Sequence, residues 1–258
     1  MTEYIEALRQ WRVWLFLGLQ DIKSRFRGSI VGPAWLLINQ AALMLAVGVI
    51  FGHLFHQDMS NFLPFLAIGL VLWGSLTSSI IEGGSTFIIA EGYIKQFTFP
   101  KAVYVFRTLV SNIIVLLVGL IVFLVVAACY GKLTVIGVIC SLPGMALFII
   151  INLLTMVIFS HIGAGFKDIP HLFSSVMQVL FYVTPVMYTP EMLSARGLDF
   201  VYKYNPLYYA MEIVRYPFIN GSLASYDVYL NAFVYAFTLF ILAVIVVRKY
   251  SRQVVYML

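Results

Sequence analysis

The chain has 258 residues, of which 62% are apolar and only 10% charged, against roughly 45–50% and about 25% in an ordinary soluble domain. No soluble core of this size hides so much apolar surface, so the bilayer must take up the remainder. The net charge of +5 does not point to nucleic acid, because the basic residues sit at the ends of apolar runs and form no stripe.

Before the first apolar run, Tyr4, Leu8, Trp11, Leu15, Leu19, Ile22 and Phe26 recur at steps of three or four among charged residues. That spacing predicts an amphipathic helix lying along a membrane interface over residues 1–29. Glu3 and Glu6 replace the basic start of a secretory signal, so no leader is expected to be removed.

Crossing a ~30 Å hydrocarbon core takes about 20 apolar residues as helix. Six stretches meet or approach that length, over 30–55, 62–90, 103–130, 134–159, 172–188 and 228–247. The expected fold is therefore all-α and integral to the membrane, with six spans in a single domain. Glu82 followed by Gly83 and Gly84 predicts a bend or an early end in the second span. Pro143 and Gly144 interrupt the fourth, which requires neighbouring protein to satisfy the freed backbone. Cys129 and Cys140 both fall in apolar runs and read as small buried hydrophobes, with no disulfide framework.

An even number of spans places both termini on one side. That side holds twelve of the sixteen Lys and Arg residues, and the other holds Lys132, Arg196, Lys203 and Arg215. The positive-inside rule then puts the termini in the cytoplasm. Between the fifth and sixth spans, over 189–227, Thr189 and Asn205 are N-cap residues, each followed by proline, and Gly197 and Gly221 are natural stops. They predict two short outer helices, the second rich in tyrosine and set at or into the outer membrane surface. Residues 228–258 supply the sixth span and a tail.

Catalytic signatures are absent: no phosphate loop, no HExxH, no nucleophile elbow and no GxGxxG after a strand. His53 and His56 stand one turn apart, and His161, Asp168 and His171 surround one loop. Histidines at span ends are more often interfacial side chains than metal ligands, and no metal site is expected. Glu82 is the acidic residue well inside a span, which makes it either a polar site or a water-reachable kink.

Three stretches resemble one family. Asp21-Ile-Lys-Ser-Arg-Phe-Arg-Gly-Ser-Ile-Val-Gly-Pro-Ala-Trp35 is similar to the lead-in motif of the type-2 ABC export permeases that move O-antigen, capsular polysaccharide and teichoic acid. Lys167-Asp-Ile-Pro170, leading through Gln178 to the run from Phe181 to Tyr188, resembles that group's charged loop and fifth span. Here lysine stands where arginine is commoner, which preserves charge but loses bidentate pairing. Tyr204-Asn-Pro-Leu-Tyr208, Glu212, Arg215 and Asn220-Gly221 resemble the outer segment.

The resemblance implies a homodimer of six-span subunits in a bacterial inner membrane, with a separate ATP-binding cassette subunit bound to each. ATP and magnesium would reside on those partners, and no cofactor on this chain. The cargo implied is a lipid-linked polysaccharide. It also implies a coupling helix within 91–101, where Tyr93, Lys95, Phe97, Phe99, Pro100 and Lys101 offer aromatic anchors and a few charges. Arg25 and Arg27 would meet lipid phosphates or the partner.

Phe, Tyr and Trp make up 16% of the chain, and ring faces suit a sliding polymer. Trp35, Trp73, Phe181, Tyr182, Tyr188 and Tyr208 are the expected channel residues. Gly28-xxx-Gly32 and Gly48-xxx-Gly52 are spaced for a dimer contact. Three alternatives remain open at this level: an ABC exporter of a drug or small lipid, a membrane enzyme built on His161, Asp168 and His171, and a proton-coupled carrier centred on Glu82.

Overall fold

A computed structural model describes residues 2–54, 58–251 and 253–257. His56, Arg252 and the end of the first expected span at Phe55 lie outside the described residues.

The N-terminal segment forms two helices, α1 (Thr2–Arg9) and α2 (Trp11–Arg25), followed by α3 (Ala34–Leu54), α4 (Met59–Ile89), α5 (Glu91–Gln96), α6 (Ala102–Cys129) and α7 (Val135–Gly165). Then come α8 (Ile169–Val183), α9 (Pro190–Ser194), α10 (Phe200–Lys203), α11 (Pro206–Asn220), α12 (Tyr226–Tyr250) and α13 (Val254–Met257). Five stretches are long and apolar enough to cross a bilayer: α3, α4 with α5, α6, α7 and α12. Helix α8 falls short. Its 15 residues span about 22 Å at 1.5 Å each, and it stops at Val183 where residues to 188 were expected. The cause is local: Pro185 drives the preceding residue out of the helical region, and Thr184 sits at φ −85°, ψ 137°.

Helix starts follow the same kind of chemistry. Gly28 and Gly32 lie at φ 84° and 60°, a left-handed backbone that no helix continues, so α3 begins at Ala34 and not at residue 30. This also removes the expected Gly28-xxx-Gly32 helix contact. At α4, Asp58 accepts from Ser60 N and Oγ, and these bonds hold its carboxyl below the usual carboxylate range. Asn205 caps α11 by accepting from Leu207 N at 3.0 Å, and Gly221 closes it at φ 68°. Thr189 makes no side-chain cap bond at α9.

The centre is the parallel pair α4 and α7, whose C-terminal ends meet at Gly84 and Gly163, and here two expectations are corrected. Neither Gly83-Gly84 nor Pro143-Gly144 interrupts its helix. A Cβ on Gly83 would stand 3.0 Å from Met156 Cα, and one on Gly163 would collide with the Gly84 carbonyl. The glycines let two long helices touch backbone to backbone. Likewise Gly144 lies against the Ile213 backbone and Gly137 near the Pro217 carbonyl, which packs α11 closely on α7. Gly48 and Gly52 face Leu63 and Met59 of α4, so that pair serves packing within the subunit and not a dimer contact.

Ser75, Asn112 and Asn152 bind α4, α6 and α7 together in the core: Ser75 Oγ donates to Asn112 Oδ1 at 2.9 Å, and Asn152 Nδ2 donates to Ser75 Oγ at 3.0 Å. Cys129 and Cys140 are unpaired, and Cys129 is exposed at the end of α6, not buried.

Candidate functional site

At the end of the bundle that carries the N-terminus, α2 lies against α6. Ala7, Gly18 and Ile22 are buried on that side, whereas Leu8, Trp11 and Leu19 of the expected stripe stay exposed on the other. Asp21 accepts from Arg107 Nε and Nη2, both at 2.6 Å, a bidentate pair that fixes orientation as well as distance. The same guanidinium lies 5.6 Å from the Tyr93 ring centre, within cation–π range. One arginine therefore joins α2, α6 and the first turn of α5.

Arg25 Nη2 donates to Glu82 Oε1 at 3.0 Å. Glu82, expected as a kink or polar site, is an ion-pair partner of α2 on a continuous α4. Arg27 is exposed. Lys101 Nζ donates to the Ser251 carbonyl, and Ser251 Oγ donates to Glu3 Oε2 at 2.9 Å, so both chain ends are tied to this face.

Only six of the residues expected in the coupling segment are helical. Beyond them Phe97 turns extended at φ −122°, ψ 144°, and Pro100, half-buried, precedes α6. The rings of Tyr93, Phe97 and Phe99 form a stacked row, with centroids 6.3 and 6.0 Å apart and planes at 25° and 30°. They are 47%, 50% and 41% exposed. Lys95 pairs with Glu91 at 2.6 Å beside them. Exposed rings in a row with flanking charges are the makeup of a docking surface.

The six expected channel rings are divided. Trp73 is buried against Phe181, centroids 5.8 Å apart, and Phe181 meets Tyr182 at 5.4 Å. These three border a cavity of 290 Å³ together with Leu43, Val47 and Met187. Tyr188 donates to the Tyr182 carbonyl at 2.6 Å, and both tyrosines border a second cavity of 460 Å³. Trp35 is not with them: it begins α3, about 12 Å along the helix from Leu43 at 1.5 Å per residue. Tyr208 lines a third cavity, beside α11. The neighbouring faces of α3 and α8 leave Leu43, Leu45, Ile50, Val176 and Val179 exposed.

Helix α11 holds two residues that the sequence placed in the outer-segment resemblance without giving them a role. Arg215 is 1% exposed and Glu212 7%. Arg215 Nε and Nη2 donate to Glu212 Oε2 at 2.8 and 2.6 Å, and Nη1 donates to the Pro185 carbonyl at 2.7 Å. Its guanidinium also lies 4.1 Å from the Phe65 ring centre. The available signal was an acid and a base at i, i+3 in an otherwise apolar helix.

The histidines are held elsewhere. His161 is buried, its Nδ1 2.8 Å from the Val157 carbonyl and its ring edge-on to Phe87 at 5.2 Å. Asp168 and His171 are exposed at the start of α8. His53 Nδ1 pairs with the Val49 carbonyl of its own helix at 2.8 Å. Among the described residues, no three His, Cys, Asp or Glu side chains group to hold a metal ion.

Residues 12–219 match the family described as ABC-2 type transporter. An O-antigen export system permease protein RfbA of Myxococcus xanthus is 27% identical over 202 residues, covering 77% of this chain and 78% of that one. A namesake from Klebsiella pneumoniae is 25% identical over 231 residues, covering 89% and 88%. The polysialic acid transport protein KpsM of Escherichia coli is 23% identical over 212 residues, covering 81% of each.

Proposed function

This chain belongs to the ABC-2 type transporter family, and we propose that it is the transmembrane subunit of an ATP-driven exporter of a lipid-linked polysaccharide. The observation that carries this reading is similarity over most of the chain to permeases named for O-antigen export. Two copies form the working unit in a bacterial inner membrane, each bound on the cytoplasmic side by an ATP-binding cassette subunit that holds ATP and magnesium. Helix α8 with the turn that follows it to Tyr188 makes a sixth crossing, the basic end faces the cytoplasm, and α9 to α11 face outward.

The chemistry assigned to this chain is mechanical. The Tyr93, Phe97 and Phe99 row seats in the ATPase, and ATP-driven approach of the two ATPases moves α5. The Arg107 bridge passes that displacement to α2, and the ion pair between Arg25 and Glu82 passes it to α4. Rigid-body motion of this kind opens a path between the open α3 and α8 faces of the two copies, where Trp73, Phe181 and Tyr182 present rings to the moving glycan. Trp35 stands at the cytoplasmic mouth of that path, and Tyr188 and Tyr208 toward its exit.

The coupling assignment is tested by replacing Phe99 and Pro100 with alanine. The variant is expected to fold and reach the membrane yet to lose glycan export about tenfold or more, as hot-spot truncation does. Unchanged export with unchanged stimulation of the ATPase would place the coupling surface elsewhere.

A further inference from the structure

At the end of the bundle away from the N-terminus, the first turns of α4, helices α9 to α11 and the start of α12 enclose a cavity of 600 Å³. Sites for small ligands commonly run ~300–1,000 Å³ and combine ring surface with a few placed polar groups. Ring surface here comes from Tyr202, Tyr208 and Tyr216. Tyr202 and Tyr208 meet at 5.3 Å with planes 63° apart, so their faces form a corner. The cavity shares no lining residue with the two that hold Trp73, Phe181, Tyr182 and Tyr188.

Glu212 supplies the pointer to a ligand. It lines this cavity while 7% exposed. Its Oε2 takes both Arg215 donors, and its Oε1 accepts no hydrogen bond among the described residues. Arg215 cannot turn to serve it, because its remaining bond goes to Pro185 and Phe65 covers its face. Oε1 therefore stands at the cavity wall as an acceptor with no protein donor among the described residues, a place that a hydroxyl of the occupant can fill.

The charged residues on the lining are Glu191, Glu212 and Arg215, one negative charge in excess, which opposes an anionic occupant. A hydroxyl-bearing, uncharged molecule with apolar C–H faces fits the donors, the rings and the charge together. We propose that this cavity binds one or two uncharged sugar rings, with Glu212 Oε1 accepting from a hydroxyl and the Tyr202–Tyr208 corner and Tyr216 covering the ring faces. The proposal rests on the reading of the chain as a glycan exporter and adds to it a saccharide site beside the exit of the ring-lined path, with a preference for neutral over acidic sugars.

The test is saturation-transfer NMR on the full chain in lipid nanodiscs, using maltose, cellobiose and mannobiose as uncharged probes and glucuronic acid as an anionic one. Transfer to at least one disaccharide is expected, with weaker transfer to glucuronic acid. Tyr216→Ala, at a half-exposed ring, and Glu212→Gln are each expected to weaken binding about tenfold. A thermal melt of each variant separates lost binding from lost fold.

No transfer to any disaccharide, transfer unchanged in folded Tyr216→Ala, or equal transfer to glucuronic acid would overturn the site. ATP-driven glycan export by the full complex, measured in parallel, keeps the two claims apart. Export without variant-sensitive binding removes the site alone. Sensitive binding without export removes the exporter reading alone, and the absence of both removes the two together.

Discussion

Arg215→Ala is expected to destabilise the subunit by about 3–5 kcal/mol, the usual cost of leaving one member of a buried ion pair alone. Three losses coincide. Glu212 keeps a charge in a site where it is 7% exposed, the Pro185 carbonyl loses its donor, and Phe65 loses the cation on its face. The Pro185 bond matters for architecture, because it ties the end of α8 to α11 at the point where α8 stops being helical. Thermal unfolding in detergent, followed by circular dichroism, measures the effect. The double variant Arg215→Met with Glu212→Leu is expected to recover most of the stability, since apolar replacements of similar volume often match a buried pair. A double variant as unstable as Arg215→Ala would mean that the Pro185 bond, and not the unpaired charge, dominates.

The second large effect is expected at the glycine contacts that α7 makes with α4 and α11. Gly163→Ala places a Cβ on the Gly84 carbonyl, and Gly144→Ala places one on the Ile213 backbone. Backbone cannot step aside as a flexible side chain does. Each change forces a helix pair apart at about 1–3 kcal/mol or more, the range for overpacking a tight core. Gly74 is the control: it lies on α4 too, and a Cβ there meets nothing within 4 Å. Gly74→Ala is expected to be neutral or stabilising by up to about 1 kcal/mol, as helix propensity alone requires. Melting temperatures of the three variants decide the matter, and equal values would remove the glycine contact from the account.

The long helices were legible because their signal is local. Runs of apolar residues bounded by polar ones locate α4, α6 and α12 within a few residues, and Asn205-Pro206 with Gly221 locates α11. What escaped depends on partners distant in sequence. A glycine pair that bends a helix and one that admits a neighbouring helix look identical until the neighbour is placed, which is why Gly83-Gly84 and Pro143-Gly144 read as breaks. The same holds for Gly28-xxx-Gly32, whose spacing suits a helix while its positive φ angles belong to a loop.

Charges show the same limit. Glu82 stands out from the sequence as an acid inside an apolar run, but its partner Arg25 lies 57 positions away and nothing nearby announces it. Arg215 was counted among the outer-side charges by its position after the fifth apolar run, and its burial could not be read from that count. Of the candidate site, the aromatic row on α5 and beyond was readable as residue types. Its stacking and exposure come from the short helix and the extended Phe97–Pro100 run. The channel rings were readable only as a class, and the fold sorts them into separate cavities.

The central claim is a passive conduit driven by another protein, and reconstitution into sealed liposomes tests it most directly, with the purified chain alone or together with its ATP-binding subunit. Nucleotide turnover and ATP-dependent movement of a lipid-linked glycan are expected only when both proteins are present. Nucleotide turnover by the chain alone, or glycan movement that continues without ATP and the second protein, would contradict it.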